Sequence, residues 1–140
     1  RIDLLVEVAA VPPDELLNAP AGEPTAAVRA RCIAARERAL ARQGQPNQAL
    51  QGQAIDSQAR LDEAARAFLH TAASRLGWSA RATHRALKVA RTIADLAGSQ
   101  AVGVAHVAEA VQYRRALRGQ GGAGRPIGPN IRIKSGSSRE

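Results

Sequence analysis

The chain has 140 residues, 45% of them apolar, enough for one hydrophobic core and too few for a second of substantial size. Aromatics are only 2% (Phe68, Trp78, Tyr113) beside abundant alanine, which favours closely packed helices over a sheet-rich sandwich, and the lone Cys32 excludes an internal disulfide and argues against a thiolate metal site. The net charge of +8 is uneven: residues 114 to 140 hold seven basic side chains against Glu140 alone, so six of the eight net charges lie there and the rest of the chain is nearly balanced.

In chain order, Ile2, Leu4, Val6 and Val8 alternate with Arg1, Asp3 and Glu7, the period-2 pattern of a strand, here over residues 1–11. No second strand follows, so its sheet is expected in a part of the protein preceding this chain, which begins without methionine and reads as a fragment. Residues 12–24 hold four of the seven prolines and read as a linker with one turn around Asp14 to Leu17. A first long helix is predicted from Thr25, as its N-cap, to Gln43, stopped by Gly44. Its inner side is Val28, Cys32, Ala35 and Ala39, which makes Cys32 a small core residue, and arginines occupy much of the rest. Residues 45–60 are polar and read as a loop with one short helical turn.

Asp62 is expected to cap a second helix ending at Leu76 before Gly77, with Leu61, Ala65, Phe68, Leu69, Ala72, Ala73 and Leu76 on its apolar face. Ser79 caps a third, reaching Ala97 before Gly98. Ala82, Ala86, Val89, Ala90, Ile93 and Ala97 share one face of it, and Arg81, His84, Arg85, Lys88, Arg91, Thr92 and Asp95 the other. A fourth begins near Gly103, with a hydrophobic staple between Val102 and Val107 and a core side of Val104, Val107, Ala108 and Val111. The periodicity ends after Leu117, so the fold class is all-α: a four-helix bundle over residues 25–117, preceded by an orphan β-strand and followed by a disordered Gly/Arg-rich tail, 118–140.

Several chemistries are excluded. There is no GxxxxGK[ST] loop, nor any Gly-Lys pair, and no apolar strand ends in an acidic pair able to hold magnesium, so the chain is not a complete ATPase or an enzyme by itself. His70, His84 and His106 lie on different predicted helices without metal-ligand spacing, and no metal site is expected. The sequence holds no run of about 18 apolar residues and no charged-then-apolar leader, so a cytoplasmic protein is expected. The one positive signal is Arg81. A guanidinium in the first turn of a serine-capped helix opposes the helix dipole, and an anion such as a phosphate would offset that repulsion.

The stretch LGWSARATHRALKVARTIADLAGSQAVGVAHVAEAVQYR, residues 76–114, closely resembles the C-terminal domain of the magnesium-chelatase-like AAA+ ATPases, the bacterial group that includes the ComM-like competence proteins. SARA, ARTIADLAGS and HVAEAVQYR are its most specific pieces, and the likeness extends upstream through RLDEAARAFL and the arginine-rich helix to RIDLLVEV. The resemblance implies an AAA+ lid. Arg81 looks like the sensor-2 arginine that reaches the γ-phosphate of ATP, Arg1 occupies the place of the arginine finger, and Arg85 and Arg91 match basic positions of the same helix, Arg85 as a further nucleotide-binding residue. It also implies ATP and Mg2+ as cofactors of the full-length protein, none bound to this fragment, with an N-terminal AAA+ core and neighbouring subunits of a homo-oligomeric ring as partners, DNA as a candidate and no membrane. Two other readings compete: a helical nucleic-acid-binding module acting through the basic helix and tail, and a scaffold that binds partners along the strand edge of residues 2–8.

Overall fold

A computed structural model describes the backbone of residues 2–119 and the side chains as far as Arg114. The arginine-finger position Arg1 and the basic tail beyond residue 119 lie outside the described residues. Among those described are six α-helices, α1 (Pro13–Asn18), α2 (Thr25–Gln43), α3 (Gln53–Ala59), α4 (Glu63–Leu76), α5 (Ala80–Leu96) and α6 (Val104–Gly119), with a 3-10 turn at Asn47–Ala49. The fold is all-α. The four expected long helices are α2, α4, α5 and α6, with α1 on the expected linker turn; residues 45–60 depart from expectation by folding into two helical pieces.

Those pieces form because Leu50, Ile55 and Ala59 drop into the core at 2, 4 and 1% exposure, the last two one helical turn apart. Arg60 then ends α3 in the left-handed region at φ 49, a conformation that usually calls for glycine. α4 and α5 have the caps expected of them: Asp62 accepts from the Ala65 N–H at 2.6 Å and Ser79 from the Ala82 N–H at 3.2 Å. α2 does not, since its N-cap is Pro24 and no side chain caps it, leaving Thr25 inside the helix.

α5 is the axis of the bundle, packed against α6, α2, α3 and the 3-10 turn, while α4 packs on α6. The core joins Leu50, Ile55, Leu69, Leu87, Val102 and Val107 to small residues such as Ala65, Ala90 and Ala94. Val102 and Val107, the expected staple, are both fully buried, and Val102 is fixed by backbone bonds to Arg60 and Asp62 that join the entrances to α4 and α6. Alanines at these crossings let the helix axes approach closely, which explains how a core with so few aromatics closes.

Two further sequence expectations fail. Cys32 and Val28 are exposed, and the buried residues of α2 are Ala35 and Ala39 in its C-terminal half. Arg91 and Asp95, placed on the polar side of α5, are each 1% exposed, because α5 is covered on both sides by its neighbours. Residues 2–10, whose expected sheet would lie outside this chain, carry no regular structure here, and one backbone bond, from the Leu5 N–H to the Tyr113 carbonyl at 3.1 Å, ties them to α6. Ile2, Leu4, Val6 and Val8 are all exposed.

Candidate functional site

The start of α5 is built by local rules. Gly77 turns left-handed at φ 59 to end α4, Trp78 half-buries itself against the core, and Ser79 caps the next helix. Two residues on, Arg81 is exposed, and among the described residues no hydrogen bond or ion pair engages it. Arg85, one turn further along, is half-buried and bonded through Nε to Asp3 Oδ1 at 2.5 Å. Asp3 and Leu4 lie along a groove of about 560 Å³ floored by Arg85, Val89, Ile93 and Tyr113. The two sequence-predicted nucleotide-binding arginines thus differ in state: Arg81 is open to solvent and Arg85 is held by an acidic residue of the N-terminal segment.

Arg114 joins this end of the molecule, a residue the sequence reading did not single out. Its guanidinium sits 5.7 Å from the centroid of the Trp78 ring, and its Nη1 is buried without a hydrogen-bond partner among the described residues. Burial lowers its pKa, the neighbouring charge of Arg85 lowers it further, and Asp3 opposes both. The only signal available in sequence was an arginine in the last turns of a helix, where the dipole favours cations anyway.

At the other end of α5, Arg91, expected to be a basic surface position, is a structural residue. Its guanidinium donates to Asp95 Oδ1 at 3.0 Å and to the carbonyls of Ala59, Ser99 and Gln100 at 3.2, 2.6 and 2.9 Å. Arg42 of α2 reaches the same carboxylate with both terminal nitrogens, at 2.7 and 3.0 Å, and buried Asn47 adds a bond at 2.8 Å. Burial pushes the Asp95 carboxyl up, but the bonds from Arg42 and Asn47 and the charges of Arg91 and Arg42 more than offset it, so it is held below the usual carboxylate range. Burial lowers the Arg91 pKa, and Asp95 counters it. An i,i+4 Arg/Asp pair is the signal that could have exposed this network in the sequence, since it can equally be a solvated surface pair.

Two of the histidines have described polar neighbours. His84 Nε2 lies 3.7 Å from Asp56 Oδ1, and His106 accepts the Gly103 N–H at 3.0 Å at the start of α6. Among the described residues no group of three or more His, Cys, Asp or Glu is placed to hold a metal ion, and no helix is long and apolar enough to cross a membrane.

The family model described as "Magnesium chelatase, subunit ChlI C-terminal" matches residues 22–114, the span from the end of the linker through Arg114. The chain is 41% identical over 119 residues to the competence protein ComM of Haemophilus influenzae, and 41% and 40% identical over 115 residues to the YifB proteins of Salmonella typhimurium and Escherichia coli. These matches take in 81 to 84% of this chain but 23% of each relative, so the chain spans about a quarter of the length of the proteins it resembles. An all-helical lid-like bundle with a serine-capped arginine helix and a family match across two thirds of its length, it belongs to the magnesium chelatase ChlI C-terminal family, as the C-terminal domain of a magnesium-chelatase-like protein of the ComM group.

Proposed function

We propose that this domain is the lid and sensor module of a ring-forming AAA+ ATPase, and that Arg81 reads the terminal phosphate of ATP. The supporting observation is the presentation of Arg81: a guanidinium in the first turn of a capped helix, facing solvent, with no described intramolecular partner. An arginine kept for packing would be tied to a carbonyl or carboxylate, as Arg91 is. ATP and Mg2+ would be held by an N-terminal core, the metal neutralising charge on the phosphates. This domain would add a planar donor fork to the oxygens that gain charge in the transition state. Loss of the γ-phosphate would remove that contact and free the lid to rotate as a body.

Residues 1–11 are read as the terminal strand of that core, 12–24 as a linker and 25–117 as the lid. The exposed row Ile2, Leu4, Val6 and Val8 supports this, as the apolar face a sheet would cover. Arg1 would enter the nucleotide site of a neighbouring subunit as the arginine finger, and Arg85, once released from Asp3, would add a second cation to the phosphates. The relative in Haemophilus influenzae is named a competence protein, and a motor that remodels DNA in the cytoplasm is the activity we assign to the whole protein.

The test is Arg81→Ala in the full-length protein. Turnover should fall about 10²-fold while ATP binding to the core persists; unchanged turnover would remove the sensor role. Nucleic-acid binding through α2 is less well supported. Arg31 is paired with Glu23 at 2.6 Å and Arg42 with Asp95, so two of the five arginines of α2 are already matched by carboxylates.

A further inference from the structure

The charge at the C-terminal end of α5 does not balance. Arg38, Arg42, Arg60 and Arg91 gather around a single carboxylate, Asp95. Among the described residues no other acidic side chain forms an ion pair with any of the four. Part of the excess has an internal explanation. Arg91 and Arg38 satisfy the last carbonyls of α5 and its exit, Arg38 Nη1 donating to the Asp95 carbonyl at 2.7 Å and Arg91 to those of Ser99 and Gln100, which is where a helix dipole favours cations. Arg42 shares the Asp95 carboxylate with Arg91. Arg60 has no such role: among the described residues its guanidinium makes no hydrogen bond or ion pair, and it stands beside the others from a left-handed backbone position.

These groups surround a cleft of about 460 Å³, lined by Arg38, Arg42, Arg60, Gly98, Ser99 and Gln100. The volume is in the range of small-ligand sites. Arg38 keeps Nε and Nη2 without described partners, so Arg38 in part and Arg60 in full offer donors along a concave surface backed by the partly buried Arg42. Guanidiniums crowded along one cleft repel one another, an anion between them relieves that repulsion, and a tetrahedral oxyanion accepts donors from two forks at once.

We infer that this cleft binds a phosphate group, gripped by Arg38 and Arg60 and backed by the charge of Arg42. It is separate from the proposed sensor position. Arg81 and Asp95 are fourteen residues apart on one helix, roughly 20 Å at 1.5 Å per residue. A phosphate bound here therefore cannot be the one Arg81 would contact, and the inference stands whether or not Arg81 is a sensor. The phosphate can come from a small phosphorylated ligand or from a nucleic-acid backbone, and the two sources are distinguishable.

The experiment is a titration of the 140-residue chain with inorganic pyrophosphate and, separately, with a short single-stranded oligonucleotide, followed through the backbone amide resonances of Gly98, Ser99 and Gln100. Reading those amides keeps binding by the basic tail out of the measurement. Saturable shifts with pyrophosphate would identify a small-phosphate site, and saturable shifts with the oligonucleotide alone a backbone-phosphate site. In either case Arg60→Gln and Arg38→Gln should each weaken binding about tenfold or more, and Arg60→Lys should lose less. Arg60→Gln removes no described native contact, so it remains a valid test even if Arg38→Gln unfolds. No saturable shift with either ligand, or affinity unchanged in Arg60→Gln, would overturn the site.

Discussion

Arg42 and Asp95, fifty-three residues apart in sequence, meet in a two-pronged ion pair of 2.7 and 3.0 Å that locks α2 onto α5. Both side chains are largely removed from water, at 10% and 2% exposure, and Asp95 is shared with the still more deeply buried Arg91. Such a pair is costly to assemble and more costly to break, because deleting one partner strands the others in the interior. Asp95→Asn keeps the shape but leaves two guanidiniums facing a neutral amide. It should destabilise the domain by about 3–5 kcal/mol, a large share of the roughly 5–15 kcal/mol typical of domains. Urea unfolding would measure it, and a loss under about 1 kcal/mol would show the pair to be structurally idle.

The same carboxylate makes stability depend on acid. Its folded pKa is lowered, so its contribution is fully present above the unfolded value of about 3.9 and disappears as pH falls through the lower folded value. Between about pH 5 and pH 2 the wild type should lose stability more steeply than Asp95→Asn, whose position 95 takes up no proton. Parallel slopes for the two proteins in thermal melts across that interval would mean that Asp95 is not held low.

How much of this was legible beforehand follows from which rules are local. The long helices α2, α4, α5 and α6 were readable because apolar period, Asp62 and Ser79 caps and glycine stops are short-range signals. The pieces within residues 47–59 were not, since Leu50, Ile55 and Ala59 are too sparse to show a period and take their order from the α5 face they cover. Arg91 and Asp95 misled the projection for a related reason: it assigns every charge to water, and only the arrival of Arg42 from another helix makes a buried position tolerable. Of the candidate site, Ser79 and Arg81 were visible as neighbours in sequence, whereas the link of Asp3 to Arg85 and the seat of Arg114 on Trp78 depend on chain reversals that no local pattern encodes.

Cys32 was placed in the core by its helical register and is instead on the surface. The buried residues of α2 are Ala35 and Ala39 in its C-terminal half, and Cys32 precedes them on the exposed part of the helix. A thiol reagent should therefore modify Cys32 fully in the native protein, at a rate close to that in denaturant and without loss of helix signal by circular dichroism. Protection released only on unfolding would place α2 elsewhere.

The ion pair of Asp3 with Arg85 is of a different kind from that of Asp95. Asp3 is 52% exposed at the side chain and Arg85 27%, so solvent screens the attraction, and its contribution to global stability should stay within about 1 kcal/mol. Its effect should be local. Asp3 is two residues from Leu5, whose N–H is bonded to the Tyr113 carbonyl and which is the half-buried residue of its segment. Asp3→Asn should leave the unfolding midpoint nearly unchanged while the Leu5 amide exchanges faster with solvent, and raising the salt concentration should have the same effect on the wild type. Arg85→Ala should reproduce the faster exchange, because it removes the other half of the pair. If the Leu5 amide is equally protected in all three cases, the segment is held by its groove contacts alone, and Arg85 is free to meet a phosphate without first giving up Asp3.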